Sequence, residues 1–235
     1  MILFKNYYVV ILLLLFTSHC FSQDSNDYYT TYDSIVNKVN LPVYNGILYQ
    51  DLDYHAKDSS HPYFNENKYA EGSVYHINQW YNDLEIKYDL LTQVLVLSPP
   101  SSIKNIGIEL NQENIKAFYI GSIKFVNLSN KFDSAKEKGY YRQDKISNQI
   151  DLFTHISKTS KEFITSRNVE LKFYTSYNFI LKKGGQYYTL NDKDDLLTAL
   201  PHKKDQIDKL YKNRSKASHK NDLEFNLFLL KSLNL

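Results

Sequence analysis

Sulfur is almost missing from this 235-residue chain, which has one methionine, Met1, and one cysteine, Cys20. Both precede the segment that reads as the folded body. A body without cysteine excludes an intramolecular disulfide, a thiolate metal site and a cysteine nucleophile. Glycine is scarce as well, at seven residues, and none falls in a GxxxxGK[ST], GxGxxG or GxSxG stretch. The usual phosphate, dinucleotide and serine-hydrolase signatures are therefore absent, as is the HExxH pair of a zinc hydrolase. Charge of one sign is lacking too: 28 basic residues face 26 acidic ones. A balanced surface gives no reason to expect nucleic acid as a partner.

No apolar run is long enough to cross a bilayer. The longest, from Tyr7 to Phe16, is about ten residues where roughly 20 are needed. Preceded by Lys5 and followed by small residues, it reads as the h-region of a secretory signal peptide over 1–22. Cys20 and Ser22 occupy the minus-three and minus-one positions of a cut that leaves Gln23 as the mature N-terminus. Two other readings stay open, an anchor that is never removed and a lipoprotein acylated on Cys20; His19 argues against the second, because such boxes want a small residue before the cysteine. Cleavage would remove Met1 and Cys20 and leave a chain of near-neutral charge, without a transmembrane segment, held together by its core alone.

What the chain has in quantity is aromatic side chains, 21 tyrosines and 13 phenylalanines. Tyrosine suits strands, where its ring packs while its hydroxyl stays wet. Residues 23–42 read as a flexible arm with a short helix over 34–39. Strand signals begin at Val43, with VYNGILYQ and then SVYHI at residues 73–77, separated by a polar loop over 51–69. In residues 84–89, Leu84, Ile86 and Tyr88 alternate with Glu85, Lys87 and Asp89, the period of a half-buried antiparallel strand. Further β-like runs follow at residues 94–97, 106–110, 123–128, 150–156 and 169–173. The last hairpin, 178–181 with 186–190, turns through Lys182, Lys183, Gly184 and Gly185. From Asn191 the period becomes helical: Leu196, Leu197 and Leu200 before Pro201, then Ile207, Leu210 and Tyr211, then Leu223, Leu227 and Leu230 behind a capping box of Asn221 and Glu224. The expected fold is α+β: an antiparallel β body over 43–190 with a tail of about three helices over 191–235 packed on it.

Chemistry-bearing groupings are sparse. His55, His61 and His76, near Asp51, Asp53 and Asp58, lack the tight spacing of a metal site, so no metal and no cofactor is expected. Asp83, Glu85 and Asp89 offer paired carboxylates, but so does any solvated sheet face, and no catalytic residue is assigned. The aromatic group Tyr63, Phe64, Tyr69, Tyr75, Trp80 and Tyr81 either fills the core or, exposed, stacks on sugars or anchors a protein. Tyr63, Phe64, Tyr75, Trp80 and Tyr81 are the candidate partner or ligand contacts.

The residues His61, Pro62, Tyr63, Phe64, then Glu71 to Tyr75, Trp80, Tyr81 and Leu84 to Asp89 resemble a broad set of exported β-rich proteins of Bacteroidota. So do Gly184 to Tyr188 leading into Lys193 to Leu197, and a leader ending in Phe21, Ser22, Gln23. The resemblance implies export, to the periplasm or outer membrane or beyond it to the outside of the cell, and it transfers no catalytic residue. The expected function is a non-enzymatic envelope protein, a binding or accessory subunit with a protein partner in an outer-membrane complex. The alternatives are a secreted polysaccharide or peptidoglycan hydrolase, and a glycan-binding module using surface aromatics.

Overall fold

A computed structural model describes residues 40–52, 54–100, 106–128, 139–164, 166, 168–214 and 222–235. The expected signal peptide, nearly all of the N-terminal arm and its 34–39 helix lie outside the described residues.

Among the described residues the chain builds one sheet of twelve strands. They are β1 (Ile47–Tyr49), β2 (His55–Ala56), β3 (Ala70–His76), β4 (Gln79–Asp89), β5 (Val94–Leu97), β6 (Gly107–Glu109), β7 (Ile115–Ile120), β8 (Ile123–Val126), β9 (Tyr141–Lys145), β10 (Ile150–Ile164), β11 (Val169–Lys183) and β12 (Gln186–Leu190). The spatial order is β1-β6-β5-β4-β3-β7-β8-β9-β10-β11-β12, with β2 beside β11. Most neighbours follow each other in sequence, so the sheet is largely a meander. The helices come last: α1 (Lys193–Ala199), α2 (Lys204–Lys212) and α3 (Asp222–Ser232).

The body is β-rich, as its alternation requires, but it is not wholly antiparallel. β2 runs parallel to β11, pairing His55 with Glu170 and Ala56 with Leu171. A two-residue strand inside a polar segment carries no period, so the 51–69 stretch reads as a loop in the sequence. At the front of the body, Pro42–Tyr44 forms a 3₁₀ turn, because proline has no N–H to give a sheet and suits the first turn of a helix; pairing starts only at Ile47. β11 joins residues 169–173 and 178–181 into one strand and runs on through Lys182 and Lys183, leaving Gly184 and Gly185, both at positive φ, as the turn.

β10 and β11 pair along all fifteen residues of each strand. β9 covers β10 only at residues 151–155, and β12 covers β11 only at residues 179–183. The other half of this hairpin therefore extends past its neighbours as an arm, with β2 laid along the β11 edge.

One face of the sheet and the helices share a single buried cluster. Phe118, Phe125, Tyr88 and Tyr140 interlock at ring separations of 4.9 to 5.7 Å. Leu196, Ile207, Leu223, Phe225, Leu229 and Leu230 join them from the helices and Leu233 from just past α3, while Leu227 is only partly buried. Asp192 caps α1 by accepting from the backbone N–H groups of Asp194 and Asp195 at 2.8 and 3.0 Å. A smaller cluster of Leu128, Tyr141, Phe153 and Ile180 lies on the opposite face.

Candidate functional site

On β4, Leu84, Ile86 and Tyr88 point into the main core, so Lys87 and Asp89 belong to the outer face and should be wet. They are not: Lys87 is 7% exposed and Asp89 0%. The polar 51–69 segment covers them. Tyr63 bridges to Asp89 through the backbone, and Tyr49 donates its hydroxyl to Asp89 Oδ2 at 2.7 Å. The other Asp89 oxygen accepts from the N–H groups of Leu91 and Thr92 at 2.7 and 3.2 Å. Tyr63 donates to Asp51, whose second oxygen is 3.6 Å from Lys87 Nζ. That ammonium sits 3.7 Å from the centre of the Tyr63 ring and 5.1 Å from that of Tyr69. Lys158, from β10, donates to the carbonyls of His61 and Tyr63 at 2.7 and 2.8 Å.

Burial dominates the electrostatics of this network. It pushes the Lys158 amine down to about 8, against the opposing pull of Asp89. It raises the Tyr49 and Tyr63 phenols well above their usual range, with Asp51 adding to the rise at Tyr63. It also lowers the His61 imidazole and, outside the network, that of His76 beside Tyr81. A phenol held protonated is a hydrogen-bond donor, and the network uses both phenols in this way, toward Asp89 and Asp51. It straps the 51–69 segment across the outer face.

The middle of the same strap runs along the arm. The Tyr54 ring meets Phe173 edge-on at 5.2 Å, and Lys57 pairs with Glu170 at 3.3 Å. Lys57 also lies 4.8 Å from the centre of the Phe163 ring. Asp58 pairs with Lys172 at 2.7 Å, and Ser60 Oγ accepts the Phe173 N–H at 3.2 Å. Past these contacts the arm carries exposed apolar side chains: Ile164 is 81% exposed, and Val169 and Tyr174 are exposed with it. Lys158 is the last β10 residue whose outer side is tied, through its N–H to Leu90 O. From Thr159 to Ile164 that edge has no strand beside it among the described residues.

The five sequence-selected contact residues separate. Tyr63 and Tyr81 are buried, Tyr63 in the strap network and Tyr81 against His76. Phe64 is half-buried and packs edge-on against Phe125 in the core. Tyr75 and Trp80 remain half-exposed on the outer face, 5.2 Å apart at 62°, and Trp80 continues to Tyr119 at 5.6 Å and 44°. The three rings are thus tilted, and they make no flat platform.

The carboxylates separate too: Asp83 sits exposed in a bulge, while Asp89 is sealed beneath Tyr49. His55 is exposed in β2, and among the described residues no group of three or more His, Cys, Asp or Glu is placed to hold a metal ion. Sequence reasoning missed Tyr49, Lys158 and the arm tip. The alternation that begins at Ile150 ends at Ile156 and gives way to the polar run Ser157 to Glu162, so no local period signalled the arm.

Comparison with known protein families, with curated proteins and with solved structures gives no match for this chain.

Proposed function

We propose that the chain is an exported, non-enzymatic cell-envelope protein that binds a protein partner at the outer membrane, through the β10–β11 arm. The observation that carries this reading is the arm itself. It extends past β9 and β12, leaves Ile164, Val169 and Tyr174 in solvent and, among the described residues, has an unpaired β10 edge over residues 159–164. Exposed apolar side chains beside a free edge are the features by which a partner adds a strand and seats alternate side chains. The strap ties β11 to the body near this end of the arm, through Lys57 to Glu170, Asp58 to Lys172 and Ser60 to Phe173. The buried phenols and the dispersed carboxylates fit a scaffold role better than a catalytic one.

The test is co-purification from solubilised membranes of the native host. Wild-type protein should bring down one defined envelope protein, and an Ile164→Asp, Val169→Asp double variant should lose it at least tenfold while keeping its thermal midpoint. Recovery of the wild-type protein alone under every detergent and salt condition, or equal recovery of the partner by the double variant, overturns the reading.

A further inference from the structure

The outer face carries a second feature, far along the sheet from the arm, that neither the strap nor the arm explains. A recess of about 510 Å³ opens beside the β3–β4 hairpin, lined by Glu71, Ser73, Asn82, Asp83, Tyr119 and the glycines at 72 and 121. Tyr119 is its aromatic wall and also the end of the Trp80–Tyr75 strip. The recess exists because β4 holds one residue more than β3 here: Gly72 faces Leu84 and Val74 faces Tyr81, and Asp83 takes the slack at a φ of 53°. Gly72 lets the strands close over this point, since a Cβ there would collide with Tyr119 O and with Ile86.

The lining is of mixed chemistry, with two carboxylates, an amide, a hydroxyl and a phenol. The side chains of Glu71, Ser73, Asn82 and Asp83 have neither a hydrogen-bond nor an ion-pair partner among the described residues. Groups of this kind accept from and donate to hydroxyls in several directions at once. The neighbouring ring offers an apolar face to C–H groups. A ligand that is apolar on one face and ringed by hydroxyls satisfies both. Charge narrows the class: Glu71 lies directly opposite Glu85 across β3 and β4, with Asp83 one step on, so an anionic ligand is repelled. The lysines near the strip, Lys124 over Tyr119 at 5.9 Å and Lys116 over Tyr75 at 5.7 Å, already sit against rings.

We infer that this recess, with Tyr119 as its aromatic wall, is a binding site for a saccharide without anionic groups, neutral or amino-bearing. The site is separate from the arm, and its occupancy does not depend on the protein partner. Together they would let one chain hold a polysaccharide and a protein at once.

Trp80 is the only tryptophan of the chain and packs 5.6 Å from the Tyr119 ring, so its emission reports on the surroundings of that wall. The test titrates the full protein with hexasaccharides of β-1,4-glucose, N-acetylglucosamine, glucosamine and mannose, and with oligogalacturonate as the anionic control. The expected result is a saturable shift of Trp80 emission with at least one of the first four, and none with oligogalacturonate. Tyr119→Ala should weaken that binding at least tenfold. Asp83→Asn should weaken it about fivefold with its fold intact, since asparagine tolerates the same positive φ; it serves if the tyrosine variant fails to fold. No saturable shift with any of the four, a stronger response to oligogalacturonate, or unchanged affinity in Asp83→Asn overturns the inference. The Ile164→Asp, Val169→Asp protein should bind saccharide as the wild type does.

Discussion

Two residues show strain and burial most plainly. Ile77 and Asn78 form the β3–β4 turn with φ of 44° and 65°, and an isoleucine in the left-handed region crowds its own Cβ branch. Its side chain is exposed, so nothing in the core rewards it. Ile77→Gly should therefore stabilise the protein by about 1 kcal/mol, a rise of about 2–4 °C in thermal midpoint. A midpoint that falls would mean that Ile77 makes a contact the turn depends on. Asp89 is the opposite case: fully buried, it accepts from one hydroxyl and two backbone N–H groups. Asp89→Ala should cost about 3 kcal/mol in urea unfolding, because it strands three donors away from water. A loss below about 1 kcal/mol would show that water reaches them.

At the scale of elements, the strap and the last helix make separable claims. Lys158 fastens the strap, and its folded-state pKa of about 8 lies below the ordinary 10.5 of a lysine. Between those values the unfolded chain holds a proton that the folded chain lacks, so stability rises with pH there. The Tyr49 and Tyr63 phenols act in reverse. Raised in the fold, they stay protonated while unfolded tyrosines ionise near 10, and stability falls above that pH. The urea midpoint of the wild type should climb from pH 8 to about pH 9.5, and Lys158→Gln should flatten that climb. Identical pH profiles would contradict a buried amine. In α3, Leu229 is fully buried and its neighbour Phe228 is exposed. Leu229→Ala should cost about 2–5 kcal/mol, and Phe228→Ala should stay within about 0.5 kcal/mol. Equal effects would place the helix on the body by another face.

Much of this architecture was legible in the sequence. The alternation of Leu84, Ile86 and Tyr88 placed the inner face of β4, and the change to a helical period after Asn191 placed the tail. Local patterns failed where structure depends on distant chain. β2 has two residues and no period, yet it pairs with β11 more than a hundred residues on. The same patterns made Lys87 and Asp89 a wet face, because nothing local announces that Tyr49 and Tyr63 will cover them. For the aromatic group, sequence left core and surface both open; it could not separate half-exposed Tyr75 and Trp80 from buried Tyr63 and Tyr81, since burial depends on which strand lies opposite. The arm was hidden for a related reason: Ile164 and Val169 look like ordinary strand residues until β9 and β12 stop short of them.

For the whole molecule, the central claim is that the arm is where a partner binds. A photo-crosslinking amino acid at position 164 of the full-length protein, illuminated in the native host, tests it directly, with position 228 as an exposed control on the helical tail. One discrete adduct with an envelope protein is expected from position 164, lost when Val169→Asp is added and absent from position 228. No adduct at 164, or the same adducts from both positions, would contradict it.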